Sequence, residues 1–189
     1  LPAPNIKRGA GCCYEDFTGI EYMRAVSELH AAIMSAWNGS GLNARFKGYW
    51  PAADTAEFPV MHDTEATPAQ PFPFCVFEVQ EGQSVSRMSS SGVAAGRMEH
   101  WEIPWELRIQ ARSFSNRTTK SAKQIASELA DEVLMVFGGH ATVTAAELSI
   151  TTGAVVQTQL QNNFGIREGS QEHSWHIKYK TLLDIPVAN

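Results

Sequence analysis

The sequence is poor in cysteine, has no strong charge of either sign and contains no long apolar run. Its three cysteines are Cys12, Cys13 and Cys75, an odd set with two members adjacent. Such a set makes no disulfide framework, and reduced thiols in a cytosolic setting are the expectation. The formal net charge is −5, so no basic excess points to nucleic-acid binding as the main task. No uninterrupted apolar stretch approaches the roughly 18 residues of a membrane-spanning helix, and no membrane partner is expected. The opening Leu1-Pro-Ala-Pro-Asn5 lacks the apolar centre of a signal peptide. Common chemical signatures are missing too. There is no Gly-Lys-Ser/Thr phosphate loop, no Gly-x-Ser-x-Gly elbow, no Cys-x-x-Cys and no dinucleotide fingerprint. No catalytic residue, cofactor or metal is expected.

What is present is a soluble-type composition and one dominant strand. A chain of 189 residues that is 43% hydrophobic and 19% charged suits one domain with a real core. In Glu99–Arg112 every odd position from Trp101 to Ala111 is apolar: Trp101, Ile103, Trp105, Leu107, Ile109 and Ala111. Every even position from His100 is polar, charged or proline. Successive side chains of a strand point to opposite faces, so this pattern predicts a long strand with one dry and one wet face. Antiparallel sheets tolerate such a wet face. The last strand repeats the pattern, with Trp175, Ile177, Tyr179, Thr181, Leu183 and Ile185 inward and His176, Lys178, Lys180 and Asp184 outward. The two are expected to be neighbours.

Two helices accompany them. Thr18-Gly-Ile-Glu21 fits a capping box, with Asp16 as an alternative cap. Tyr22, Val26, Leu29, Ile33 and Trp37 recur at helical spacing. The first helix is expected over Phe17–Trp37, ended by Asn38-Gly-Ser-Gly41. The second is expected from about Thr119 to Phe137, with Ile125, Leu129, Val133, Val136 and Phe137 on one face and Gly138-Gly139 as its stop. Other segments read less sharply. Arg45–Trp50 and Ala146–Thr152 are candidate short strands, and Pro51–Pro71 reads as a long surface excursion. Phe72–Val79 is a strand whose Pro73 marks a beginning or an edge. Gly82–Arg97, rich in Ser, Gly and Ala, reads as an oversized hairpin loop. Val155–Phe164 alternates Val156, Thr158, Leu160 and Asn162 with Gln157, Gln159, Gln161 and Asn163, and Gly165–Gln171 reads as a turn. The expected fold is α+β: an antiparallel β-sheet of strands of mixed length with two α-helices packed on one face. The expected organisation is an arm over 1–16 and a single domain over 17–189, with loop insertions at about 51–71 and 82–97.

Candidate chemistry is sparse. His173 and His176 are an odd number apart on a strand, which points their rings to opposite faces and argues against a shared metal. His62, Asp63 and His140 fall in loops. Asp54-Thr55 and Asp63-Thr64 lack the glycine of an acid-protease motif and read as solvated loop acids. Trp101 and Trp105 read as core rather than pocket. The row Gln157, Gln159, Gln161 and Asn163 is uncharged and polar. It suits ordinary surface, a subunit interface or the lining of a wet channel.

The order of these elements resembles the tail terminator, or tail-completion, proteins of tailed bacteriophages. An N-terminal helix over Glu21–Trp37 leads to the Pro-aromatic strand Pro71-Phe-Pro-Phe-Cys-Val-Phe-Glu-Val79. A large loop, the Trp-bearing strand Trp101–Ala111, the helix Thr119–Ala130 and the closing strand His173–Leu182 follow. The resemblance covers roughly residues 17–187. It implies a non-enzymatic virion protein of the tail and neck, assembled in the host cytoplasm as a hexameric homo-oligomer. Such a ring caps the tail tube, ends tube polymerisation and joins the tail to a head-side connector or stopper protein. DNA passes through the lumen without specific binding. In such a ring, the arm at 1–14 and the 82–97 loop are the segments expected to touch neighbouring subunits. Arg87, Met88 and Arg97 are the expected anchors in that loop, since Arg and Met are enriched at interfaces, with Val93 beside them; Gln157, Gln159 and Gln161 are further interface candidates, since flat polar strands lend themselves to pairing. The competing readings are another neck, connector or tail-tube protein, a small cytosolic enzyme whose site is assembled only in space, and a plain monomeric binding module.

Overall fold

The computed structural model describes residues 15–50, 58–63, 69–88, 97–113, 119–138, 148, 150–151, 154–168 and 171–187. Among the described residues three helices and six strands follow one another: α1 (Glu15–Gly39), α2 (Leu42–Lys47), β1 (Met61–His62), β2 (Phe74–Val79), β3 (Gln83–Met88), β4 (Arg97–Arg112), α3 (Ala122–Phe137), β5 (Ala154–Glu168) and β6 (Glu172–Val187). The fold is α+β. The strands form one sheet in the order β1-β2-β4-β6-β5, and β3 pairs with β4 on the same side as β2.

β4 and β6 are neighbours along their whole length, from Arg97 opposite Val187 to Arg112 opposite Glu172. Their inward residues meet in pairs: Trp105 with Tyr179, Leu107 with Ile177, Ile109 with Trp175. α1 and α3 cover this face. Phe137 of α3 lies 5.8 Å from Trp105, centroid to centroid, and Tyr22 of α1 lies 4.2 Å from Trp101. Leu29, Ile33 and Trp37 of α1 and Ile125, Leu129 and Val133 of α3 are fully or almost fully buried there. Full burial of each such side chain stabilises by roughly 1.5–3 kcal/mol. Two polar groups inside this layer find partners there. The Trp105 indole donates to Thr181 Oγ1 at 2.9 Å, and the Tyr179 hydroxyl donates to the Gly138 carbonyl at 3.1 Å. Ser121 and Gln124 close a capping box at the start of α3. Gly138 ends the helix with φ +88°, a conformation that costs glycine little.

Several expectations are corrected. α1 already includes Glu15, so Thr18 lies inside the helix instead of capping it, and the arm gives up residues 15 and 16. Residues 1–14 lie outside the described set. Arg45–Trp50 is not a strand. Residues up to Lys47 belong to α2, because Leu42 and Phe46, one helical turn apart, both face the core. Part of the 51–71 excursion is structured: Val60 and Met61 are buried, and β1 pairs parallel with β2, the one departure from antiparallel order among the described pairings. Leu148, Ile150 and Thr151 are not in a strand. β5 continues to Glu168 through the expected turn at Gly165.

The largest correction concerns the 82–97 loop. Residues 83–88 form β3, paired with Met98–Glu102, so only 89–96 remain outside the described set. β2 and β3 run as one interrupted strand along β4. Val79 faces Trp105 and Gln83 faces Glu102, which leaves three residues opposite two. Gly82 sits in this bulge, its N–H donating to the Tyr22 hydroxyl at 2.7 Å. A Cβ there would lie 2.9 Å from the Glu102 carbonyl oxygen and 3.0 Å from Ile103 Cγ1. Gly82→Ala must therefore push backbone aside. The expected loss is about 1–3 kcal/mol in urea unfolding, whereas Gly39→Ala, with nothing near its Cβ position, is expected to lose none.

Candidate functional site

The pleat that sends Trp105 and Tyr179 inward sends their neighbours to the opposite face of the sheet. There β4 contributes Glu102, Pro104, Glu106 and Arg108, opposite Leu182, Lys180, Lys178 and His176 of β6. β5 sets Gln159 opposite Lys180 and Gln161 opposite Lys178. β2 sets Glu78 opposite Glu106. This face is a grid of acids, cations and amides in columns, one column per strand.

The grid neutralises itself. Arg108 reaches Glu78 at 3.0 Å and Glu106 at 3.1 Å, bridging two carboxylates that would repel across the strands. Lys178 stands 3.9 Å and His176 3.8 Å from the same Glu106. Lys180 pairs with Glu102, and at the far end His100 pairs with Asp184 through Nδ1. The Glu106 side chain is only 8% exposed although it belongs to the outer face. Its charge is held there by the three basic side chains around it, which themselves keep contact with solvent. The more exposed pairs contribute roughly 0.2–1 kcal/mol each.

A second cluster lies between α2 and α3. An open cleft of 360 Å³ is lined by Arg45, Gly48, Tyr49, Glu128, Leu129 and Glu132. The Tyr49 hydroxyl donates to Glu128 at 2.7 Å, and Lys120 donates to both oxygens of that carboxylate at 2.6 and 2.8 Å. Lys120 and then Tyr49 hold the Glu128 carboxyl below its usual range. Burial, and then Glu128 itself, push the Tyr49 phenol up. Tyr49 therefore keeps its proton and is no base at neutral pH. Cys75 is equally inert: burial in the core raises its thiol far above the usual value.

The expected site residues fall into two separate places. Arg87 and Met88 are on β3, opposite Glu99 and Met98, and Arg97 opens β4 opposite Val187. Gln157, Gln159 and Gln161 are on β5, opposite Leu182, Lys180 and Lys178. β4 and β6 stand between β3 and the glutamines, and β6 stands between Arg97 and the glutamines, so neither β3 nor β4 is a neighbour of β5 in the sheet. Val93, Asp54, Thr55, Thr64 and His140 lie outside the described residues. His62 packs edge-on against Phe74 at 5.8 Å, and Asp63 is exposed. His173 is opposite the inward Ala111 and His176 opposite the outward Arg108, so the two rings do take opposite faces. The wet face was legible as a row of even positions. Its register was not, and neither was the link between Tyr49 and Glu128, which are 79 residues apart.

One group on the grid titrates off its ordinary value. Burial, with help from Arg108 and Lys178, lowers the His176 pKa from 6.5, while Glu106 opposes the shift. The unfolded chain therefore takes up this proton first. The contribution is fully present above about pH 6.5 and is lost as the pH falls through the folded-state value. Between about pH 7 and pH 5, the wild-type melting temperature should fall more than that of His176→Gln; parallel declines would contradict this assignment. Searched against models of known protein families and against curated proteins, the chain finds no match in either.

Proposed function

We propose that this chain is a structural, ring-forming protein of the tailed-phage neck. On this reading it acts as a tail terminator, whose hexameric ring caps the tail tube, ends tube growth and joins the tail to the head-side connector, with DNA passing through the lumen. The observation that carries the reading is the sheet with two open ends. β5, 15 residues long, is a terminal strand, and β3 borders the opposite side. Among the described residues no strand pairs with the outer edge of either. Unpaired strand edges are templates for another chain. Two different edges on opposite sides of one subunit favour a head-to-tail contact, which closes into a ring when the rotation allows.

Three further features support the same reading. Arg87 and Met88, on β3, and the glutamines, on β5, divide between these two sides, as a head-to-tail interface requires. The outer face cancels its own charges, which suits a surface past which a polyanion slides without being gripped. The order of elements resembles the terminator family over most of the chain. No helix of the described residues is long and apolar enough to cross a membrane.

Native mass spectrometry and electron microscopy of the purified chain, alone and with its own tail tubes, test the reading. A six-fold ring, or a cap on the head-proximal end of the tubes, is the expected result. A monomer that ignores tubes would overturn it. The double variant Gln159→Glu/Gln161→Glu localises the contact. Each new carboxylate would stand opposite a lysine within the same chain, so the monomer should keep its melting temperature. Across a subunit interface the two added charges should weaken assembly at least tenfold, an amount that corresponds to about 1.4 kcal/mol.

A further inference from the structure

The chain has a single Asn-Gly dipeptide, Asn38-Gly39. It closes α1, and Asn38, Gly39 and Ser40 are all exposed. We propose that Asn38 is a site of spontaneous deamidation through a succinimide, set up by Asn43. The Asn43 side-chain amide donates to Asn38 Oδ1 at 3.1 Å. Asn43 is itself fixed from behind, because its Oδ1 accepts the indole N–H of Trp37 at 2.7 Å, and Trp37 is fully buried. A donor held on the carboxamide oxygen draws electrons from Cγ. It also bonds more strongly as negative charge develops on that oxygen during attack, as oxyanion donors do.

The nucleophile is the backbone nitrogen of Gly39. Glycine has no side chain to shield it, and nothing lies within 4 Å of the position a Cβ would take. In the intact helix this nitrogen is held away from Cγ, so reaction passes through frayed conformers of the last turn, where α-helices are weakest. The step balances simply. The Gly39 nitrogen loses its proton to solvent and bonds to Asn38 Cγ, and the Cγ–Nδ2 bond breaks as ammonia leaves. Water then opens the five-membered imide at either carbonyl, giving aspartate or isoaspartate. The net change is one amide and one water converted to one carboxylate and one ammonium.

The position gives the change a consequence. A new carboxylate at the C-terminal end of a helix opposes the macrodipole. An isoaspartate also lengthens the main chain by one methylene between α1 and α2, at the corner where Trp37 and Phe46 pack 5.4 Å apart. Conversion would therefore loosen α2 against α1.

The test is to hold the purified, folded chain in mildly alkaline buffer at body temperature for days, with peptide mapping by mass spectrometry and enzymatic methylation of isoaspartate as readouts. Asn38 is expected to convert with isoaspartate as the main product. Conversion should slow several-fold in Gly39→Ala, and several-fold in both Asn43→Ala and Asn43→Asp, of which the second keeps an acceptor for Trp37. Circular-dichroism melts confirm that each variant is folded. The proposal is overturned if Asn38 stays intact in the folded protein while the same chain in urea converts. It is equally overturned if the folded Asn43 variants convert at the wild-type rate.

Discussion

The packing of Trp105 is the constraint on which the other layers depend. Its ring stacks on Tyr179 at 4.3 Å and meets Phe77 and Phe137 edge-on at 6.1 and 5.8 Å. One side chain thus ties β2, β4, β6 and α3 into a single core. Aromatic pairs of this kind are worth roughly 0.5–1.5 kcal/mol each beyond the area they bury. The geometry leaves the indole N–H in a dry layer, where an unmade hydrogen bond is expensive. Thr181 accepts it, and the Thr181 hydroxyl lies 3.1 Å from that of Thr158 on β5. The same residue therefore fixes the β4–β6 register and, through one hydroxyl contact, the position of β5.

Once that register is set, the outer face has no freedom. With Trp105 opposite Tyr179, Glu106 must stand opposite Lys178 and Arg108 opposite His176. β2 then brings Glu78 against Glu106. Two like charges meeting head-on would weaken the sheet, and Arg108, reaching both, turns that repulsion into a bridge. The self-neutralised grid is thus a consequence of core packing read through the pleat. It also accounts for the behaviour of His176, which is hemmed in by two permanent cations and one carboxylate.

How much of this the sequence announced depends on the range of the interaction concerned. The alternation in β4 and β6, the helical stripes of α1 and α3, the stop at Gly138 and the start of β2 after Pro73 are local patterns, and they are where they were expected. Arg45–Trp50 has the aromatic content of a strand, but the helix α2 rests on only two buried residues, Leu42 and Phe46, one turn apart, which is too short a span to show a period. β3 read as loop because Gln83-Ser-Val-Ser-Arg-Met88 has little apolar content. It is a strand because β4 offers it a backbone partner, which no local signal records. β1 is two residues long and exists only through its pairing with β2. The candidate sites are hardest to read, since each joins residues far apart in the chain: Glu78 to Arg108, Tyr49 to Glu128, Gln159 to Lys180.

The shape of β5 bears on what its open edge can accept. Its pairing with β6 slips twice, between Val155 and Gln157 and between Gln161 and Gly165. Bulges bend a strand and increase its twist. A long flat edge invites indiscriminate pairing, and natural sheets blunt such edges with bulges or charge. In β5 the two slips bracket the segment 157–161, which carries the uncharged glutamines. Beyond that window the register of β5 against β6 has shifted. An edge of this form admits a short partner strand in a defined place and discourages open-ended growth. A closed assembly would need, beyond such an edge, a rotation between neighbouring subunits that closes; otherwise the same contact continues as a filament.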